Sequence, residues 1–274
     1  MRRCSALAVA LAALGCAASA ALERPLAVVF HHIHVNDPGP DGLIAYYAKL
    51  FEPSTTRPGA IGAVRGLEAG GVFMLVNPVR EEPSESRGPV WHFGWGTLSL
   101  DEGYDQHRMH EIDLEFPMPS FAKDLHIHLE SQDPIRAAEW YRDRLGATIA
   151  TNRANASARP ANPIHRRPAA LVRFTGVEFA IYPSTEALAP SRGRRIDHLA
   201  FKADLAEARR AGLTVLEPSG RLGPFETMMI EGPDRLTIEL VGRPVLGPSG
   251  AAAKRSQHHC WPPQSSPTRS ASGC

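Results

Sequence analysis

Between about residues 28 and 243, short runs of alternating apolar and polar residues are interleaved with stretches whose apolar residues recur at helical spacing. Leu236-Thr237-Ile238-Glu239-Leu240-Val241 is one such strand pattern, with Ile238 and Leu240 on one face and Glu239 on the other. The helical stretches carry clear punctuation. Asp133 is a good N-cap, Pro134 suits the first helical position and Gly146 ends the run after Leu145, so Ile135–Leu145 is predicted helical. Asp204 with Glu207 forms a capping box that Gly212 closes, and Gly232-Pro233-Asp234-Arg235 turns into the strand at 236–241.

This pattern repeats within the chain. His32-Ile33-His34-Val35 recurs as His126-Ile127-His128-Leu129, and at the same offset Pro40 matches Pro134 and Tyr46-Tyr47 matches Trp140-Tyr141. A second pair of matches joins Val72–Pro78 to Val177–Pro183, and Trp91-His92-Phe93-Gly94-Trp95 to Asp197-His198-Leu199-Ala200-Phe201. The chain therefore reads as an α+β protein of tandem βαβββ modules, two per half, with domains expected at 28–118 and 121–243. The halves are unequal: 41 positions separate His198 from Glu239, but only 23 separate His92 from Glu115. A full module does not fit the shorter span, so the N-terminal copy is expected to be truncated.

Composition refines this picture at the two ends. Arg2-Arg3 precedes an apolar stretch from Ala6 to about Leu14, too short to span a bilayer and shaped like a secretory signal over residues 1–20. Cleavage after Ala18-Ser19-Ala20 gives an exported, periplasmic or secreted protein. Lipid attachment at Cys16, after Leu14-Gly15, is the competing reading. No cysteine lies between residues 17 and 259, so the fold cannot rely on disulfides. From residue 244 to 274, Pro, Ser, Gly and Ala dominate and a disordered tail is expected, with His258-His259-Cys260 read as part of a solvated segment. With 30 basic and 29 acidic residues, the chain lacks the basic surplus of a nucleic-acid binder.

Candidate chemistry gathers on the strands. His126 and His128 share a face, His198 opens a later strand and Glu239 is a charged residue inside a strand otherwise fit for a core. Two imidazoles and a carboxylate leave two or three positions open on a divalent first-row ion. The competing reading is that these histidines are satisfied by hydrogen bonds alone.

His-Ile-His-Leu followed by Asp-Pro and Ala-Ala-Glu-Trp-Tyr (126–141), Ile-Asp-His-Leu-Ala-Phe (196–201) and Glu-Gly-Pro-Asp-Arg-Leu-Thr-Ile-Glu-Leu-Val (231–241) together resemble the vicinal oxygen chelate superfamily. That superfamily includes glyoxalase I, methylmalonyl-CoA epimerase, bleomycin- and fosfomycin-resistance proteins and extradiol dioxygenases. The resemblance implies paired βαβββ modules whose sheets curl into cups, with metal ligands on the inner faces of first and last strands. It places ligands at His126, His198 and Glu239. The remaining position falls on Ala180, which cannot ligate, and Glu178 nearby is the substitute ligand or general base unless it forms a rim salt bridge. In the N-terminal half the same mapping falls on His32, Leu75, His92 and Glu115, with Asp113 as the register alternative to Glu115. This half is expected to be mainly structural, and a second weak site is the alternative.

The resemblance implies a divalent metal ion (Zn, Fe, Mn, Ni or Co) and lyase or isomerase chemistry on a small oxygenated substrate. A truncated N-terminal half would expose sheet edges that can pair with another chain, which makes a homo-oligomer a further expectation. A non-catalytic binding cup of the resistance type is the alternative. An extradiol dioxygenase is a weaker one, because Met229 stands where those enzymes carry a tyrosine. The basic segment Asn152–Ala170 reads as a lid or a solvated insertion, and Arg192, Arg194 and Arg195 beside His198 as candidates to meet an anion.

Overall fold

The computed structural model describes residues 24–50, 56–69, 72–84, 86–96, 112–115, 125–152 and 168–245. The expected leader, the tail and most of the basic segment lie outside them.

Four repeated units follow one another. The first comprises β1 (Val29–Asp37), α1 (Pro40–Leu50), β2 (Thr56–Ile61), β3 (Val64–Ala69) and β4 (Val72–Pro78). The second contributes β5 (Val90–Gly96) and β6 (Ile112–Glu115) among the described residues. The third is β7 (Leu125–Ser131), α2 (Pro134–Leu145), β8 (Thr148–Asn152), β9 (Ala170–Phe174) and β10 (Val177–Pro183). The fourth is β11 (Ile196–Lys202), α3 (Leu205–Arg210), β12 (Val215–Leu222), β13 (Phe225–Glu231) and β14 (Thr237–Pro244).

Helix ends form as the punctuation predicts. The Asp133 carboxylate accepts from the Arg136 backbone N–H, and Gly146 closes α2 in the left-handed region at φ 70°. Asp204 likewise accepts from the N–H groups of Ala206 and Glu207, starting α3.

Pairing of the units differs from the expected two halves. One sheet runs β12-β13-β14-β11-β1-β4-β3-β2 and the other β6-β5-β7-β10-β9-β8. The outer units, first and fourth, thus share one sheet, and the inner units, second and third, share the other. A division near residue 120 would cut both. All four opening strands carry closely similar patterns, so nothing local in them selects a partner, and the choice is made by long-range packing.

Period-2 alternation sets the two faces of each sheet. Ile33, Val35, Ile127, Phe179, Leu199, Phe201 and Ile238 point into one shared core with helix residues such as Tyr47, Ala138 and Tyr141. The two sheets meet there, with the Phe174 and Phe179 rings 4.8 and 6.2 Å from the Phe201 ring. Each such side chain contributes roughly 1.5–3 kcal/mol through burial. The histidines, on the alternate positions, are left for the opposite faces.

The eight-stranded sheet curls strongly. At its two ends the β2–β3 and β12–β13 turns touch: Gly62 and Gly223 both take left-handed φ values of 60° and 56°, and a Cβ on Gly62 would come 2.5 Å from the Gly223 Cα. Glycine is required at both turns by conformation and by contact. Behind them Ile61, Leu75 and Leu222 form a small second cluster with Val64, Phe73 and Phe225.

Candidate metal centre

Two β-bulges frame the centre of the eight-stranded sheet. In the antiparallel pairing of β1 with β11, Phe30 faces Phe201 and His32 faces Ala200, so His31 is the extra residue on β1. Further along, His34 faces His198 and Val35 faces Ile196, which makes Asp197 the extra residue on β11. A bulge breaks the strict alternation of side chains. Each one here brings a polar neighbour to the ring of the next histidine. His31 Nδ1 lies 2.9 Å from His32 Nδ1, and the Asp197 carboxylate lies 2.6 Å from His198 Nδ1. Asp197 is itself held by the Gly193 N–H and the Asn36 amide.

With their Nδ1 atoms engaged, the rings present Nε2 to one another and to Glu239. Because β14 pairs with β11, Glu239 faces Ala200, so His32, Ala200 and Glu239 form one row across three strands. Glu239 Oε2 lies 3.2 Å from His32 Nε2 and 3.6 Å from His198 Nε2, and His34 Nδ1 lies 3.1 Å from His198 Nε2. His32 is 0% exposed, Glu239 4% and His198 5%. The ligand nitrogens of His32, His34 and His198 lie within 4.8 Å of one another, and the group could hold a metal ion.

The charge distribution follows from burial and contact. Burial lowers the pKa of His32, with Glu239 opposing, and it lowers His34 to about 3 with help from His198. Burial and the neighbouring His32 lower His31 to about 4. His198 moves the other way: burial opposes the charge, but Asp197 and Glu239 together raise its pKa. Burial alone would raise Glu239, yet its contacts with His198 and His32 carry it well below the usual carboxylate range. The resting site therefore favours an ionised Glu239 and the charged form of His198, and disfavours charge on His31, His32 and His34.

The donor set suits a cation. His32 Nε2, His34 Nε2 and Glu239 Oε2 are buried and accept or donate no hydrogen bond, and leaving such atoms without a partner is costly. His32, His34 and His198 are the group whose ligand atoms stand close enough to share one ion.

The expected ligand trio is divided between the sheets. His198 and Glu239 come together as expected, but the imidazole that completes them is His32. His126 lies on β7 in the six-stranded sheet, paired through β5 with Gly94, and its companions are His92 and His128. Because β1 and not β7 neighbours β11, the first-strand position passes from His126 to His32. Glu178 is opposite His126 in register on β10 and bonds to Arg173 Nε at 2.5 Å, the salt-bridge alternative. The three arginines beside His198 are also engaged: Arg192 with Glu217, Arg194 with the backbone carbonyls of Pro190 and Ser84, and Arg195 with Asp37. Three residues escaped the sequence reading of the centre. His34 carried a signal in its i, i+2 spacing from His32, whereas His31 and Asp197 act through bulges that no spacing rule reveals.

No protein-family model and no curated protein matches the chain. Among solved structures, glyoxalase I from Zea mays superposes with a TM-score of 0.52 at 13% identity, covering 79% of this chain and 92% of that one. A point variant of the same maize enzyme gives a TM-score of 0.53 at 13% identity, with 79% and 94% covered. The chain has the vicinal oxygen chelate fold. Since the outer units of the chain pair with each other, the four ligand positions implied by the resemblance fall on His32, Leu75, His198 and Glu239. Leu75 cannot ligate. Its register partner on β1 is His34, whose ring stands in the group instead. No helix among the described residues is long and apolar enough to cross a membrane.

Proposed function

We propose that the chain is an exported, divalent-metal-dependent enzyme of the lyase or isomerase type acting on a small oxygenated substrate. In this reading His32, His198 and Glu239 hold the ion and His34 takes the place that Leu75 cannot fill. One observation carries it: a buried Glu239 oxygen without a hydrogen bond stands 3.2 and 3.6 Å from two imidazole nitrogens that the bulged residues and Glu239 orient. These four residues would hold the ion, and a bound divalent ion would supply Lewis-acid polarisation to the oxygens of a small substrate.

The chain's own residues supply the rest. Asp197 fixes the His198 ring and raises its basicity, and His31 fixes the His32 ring through the Nδ1–Nδ1 contact. Phe73 and Phe225, with ring centroids 6.3 and 5.9 Å from that of His31, form an apolar wall that limits water. Export rests on the Arg2-Arg3 leader and the Ala18-Ser19-Ala20 site.

A specific observation favours the second reading, a non-catalytic binding cup. Glu178, the expected base, lies on the other sheet, and Met229, which faces Glu239 across β13 and β14, carries no proton to exchange. The same methionine weighs against a ring-cleaving dioxygenase. The test is elemental analysis of the purified full chain beside His32→Ala and Glu239→Gln, followed by isomerase and lyase assays with small dicarbonyl and hydroxy-acid substrates. Metal lost from both folded variants together with turnover in the parent supports the enzyme. Metal without turnover leaves the binding cup, and retention of the same metal content in both variants overturns the ligand assignment.

A further inference from the structure

The six-stranded sheet repeats the scaffold of the first centre. On β5 and β7, His92 faces His128 and Gly94 faces His126, the register in which His198 faces His34 and Ala200 faces His32. The bulge repeats as well: Val90 faces Leu129 while His92 faces His128, so Trp91 is the extra residue where the first sheet has Asp197. Backbone register further sets Asp113 on β6 opposite Gly94, the row position held by Glu239 in the other sheet. The structure thus favours the register alternative, Asp113, over Glu115, which faces Gly96.

From this repeat we infer that the protein carries a second divalent-metal site, formed by the imidazoles of His92, His126 and His128 and separate from the centre on the first sheet. Their ligand nitrogens lie within 4.8 Å of one another. Ring centroids are 4.1 Å apart for His92 and His128, 5.0 Å for His126 and His128 and 6.2 Å for His92 and His126. The three imidazoles offer nitrogen donors and no oxygen. Such a set selects late first-row divalent ions, Zn2+, Ni2+ and Cu2+, over Mg2+ or Ca2+. Gly94 stands in the row beside His126, where the first sheet has Ala200.

The two sites differ in their support. Leu125 stands where the first sheet has His31, and Trp91 where it has Asp197. A bound ion here would join β5 to β7, the strands through which the inner units meet.

Trp91 makes the site observable without any activity. Its ring centroid is 4.7 Å from that of His92, 5.8 Å from that of His128 and 5.6 Å from that of Tyr182. A paramagnetic ion bound by the histidines would quench its fluorescence. The experiment uses the full chain with His258→Ala and His259→Ala, to silence the tail, and with His198→Ala and Glu239→Gln, to disable the first centre. Titration with Cu2+ should bind one equivalent and remove at least half of the Trp91 emission, defined as the part lost in Trp91→Phe. Adding His92→Asn and His126→Asn should abolish both effects. His128→Asn alone, a milder change, should weaken binding at least tenfold, with circular dichroism confirming the fold. No binding by the chain lacking the first centre, or quenching unchanged in the folded His92→Asn/His126→Asn form, overturns the second site. Failure of the first centre reads differently: the otherwise unaltered chain would bind one ion and keep it in Glu239→Gln.

Discussion

His31 and His32 share one proton between two Nδ1 atoms 2.9 Å apart, although neighbouring strand residues ordinarily point to opposite faces. The bulge that makes this contact also decides which nitrogen of His32 is free. With the shared proton on His32 Nδ1, its Nε2 lone pair is free to meet an ion placed between it and Glu239. His31 must then accept, which its neutral state, with a pKa lowered to about 4, allows.

Replacing His31 by Phe keeps a ring against Phe73 and Phe225 but removes the partner. Metal affinity, measured by competition with a chelator, should fall about 10–100-fold, the usual effect of losing a group that orients a ligating histidine. His31→Gln, which can still accept from His32, should recover part of that loss. Equal affinity in parent and Phe variant would show that His31 only packs.

Ion binding at the first centre should release a proton. His198 has a raised pKa in the resting site, held by Asp197 and Glu239, and must surrender its Nε2 proton to ligate. Calorimetric titration of metal near pH 6.5 in buffers of different ionisation enthalpy should show release approaching one proton per ion, and affinity should rise with pH. Asp197→Asn lowers the pKa of His198, so it should reduce the protons released while also weakening binding. Zero release in the parent would mean that His198 stays outside the coordination.

Without metal, acid should destabilise the protein well before its carboxylates titrate. His31 and His34 have folded pKa values lowered to about 4 and about 3, against 6.5 unfolded. Between those values the unfolded chain binds more protons, so stability falls as pH drops from about 6.5 toward 4. His198, with its raised pKa, works in the opposite sense and offsets part of the effect. The lowered Glu239 adds its own loss only at still lower pH. At pH 5 the His31 contribution is about 2 kcal/mol, from 1.36 kcal/mol per pKa unit. Urea unfolding in chelator at pH 7.5 and 5 should show the fall, and His31→Phe should flatten it by about that amount.

Much of this was legible in the sequence, and the exception is instructive. The repeat of His-Ile-His at 32–34 and 126–128 revealed four modules, the caps at Asp133 and Asp204 placed two helices, and alternation around Glu239 marked a charged residue that needed a cation. What the residues could not show was which opening strand lies beside β11. His32 and His126 occupy equivalent places in near-identical strands, so both satisfy every local rule, and only the pairing of outer with outer and inner with inner units separates them. The bulges at His31 and Asp197 were hidden for the same reason, because a bulge is a relation between two strands and leaves no mark in either one.

Ala200 gives the sharpest test of the first centre's geometry. His32 and Glu239 are attached two strands apart, a backbone separation of about 9.5 Å, yet their side chains meet at 3.2 Å over the strand between them. The residue beneath the contact is Ala200, fully buried and in register with both. Ala200→Val adds two methyl groups where the imidazole and carboxylate converge. It should lower metal affinity at least tenfold, and overpacking should cost about 1–3 kcal/mol of stability. Ala200→Gly makes room instead of taking it. Gly94 already occupies the corresponding place beside His126, so the glycine variant should keep its metal while losing about 0.5–1 kcal/mol to backbone entropy. Chelator competition and urea unfolding on the two variants separate the outcomes: equal loss of metal from Val and Gly would point to the strand itself, whereas loss from Val alone places the ion over Ala200.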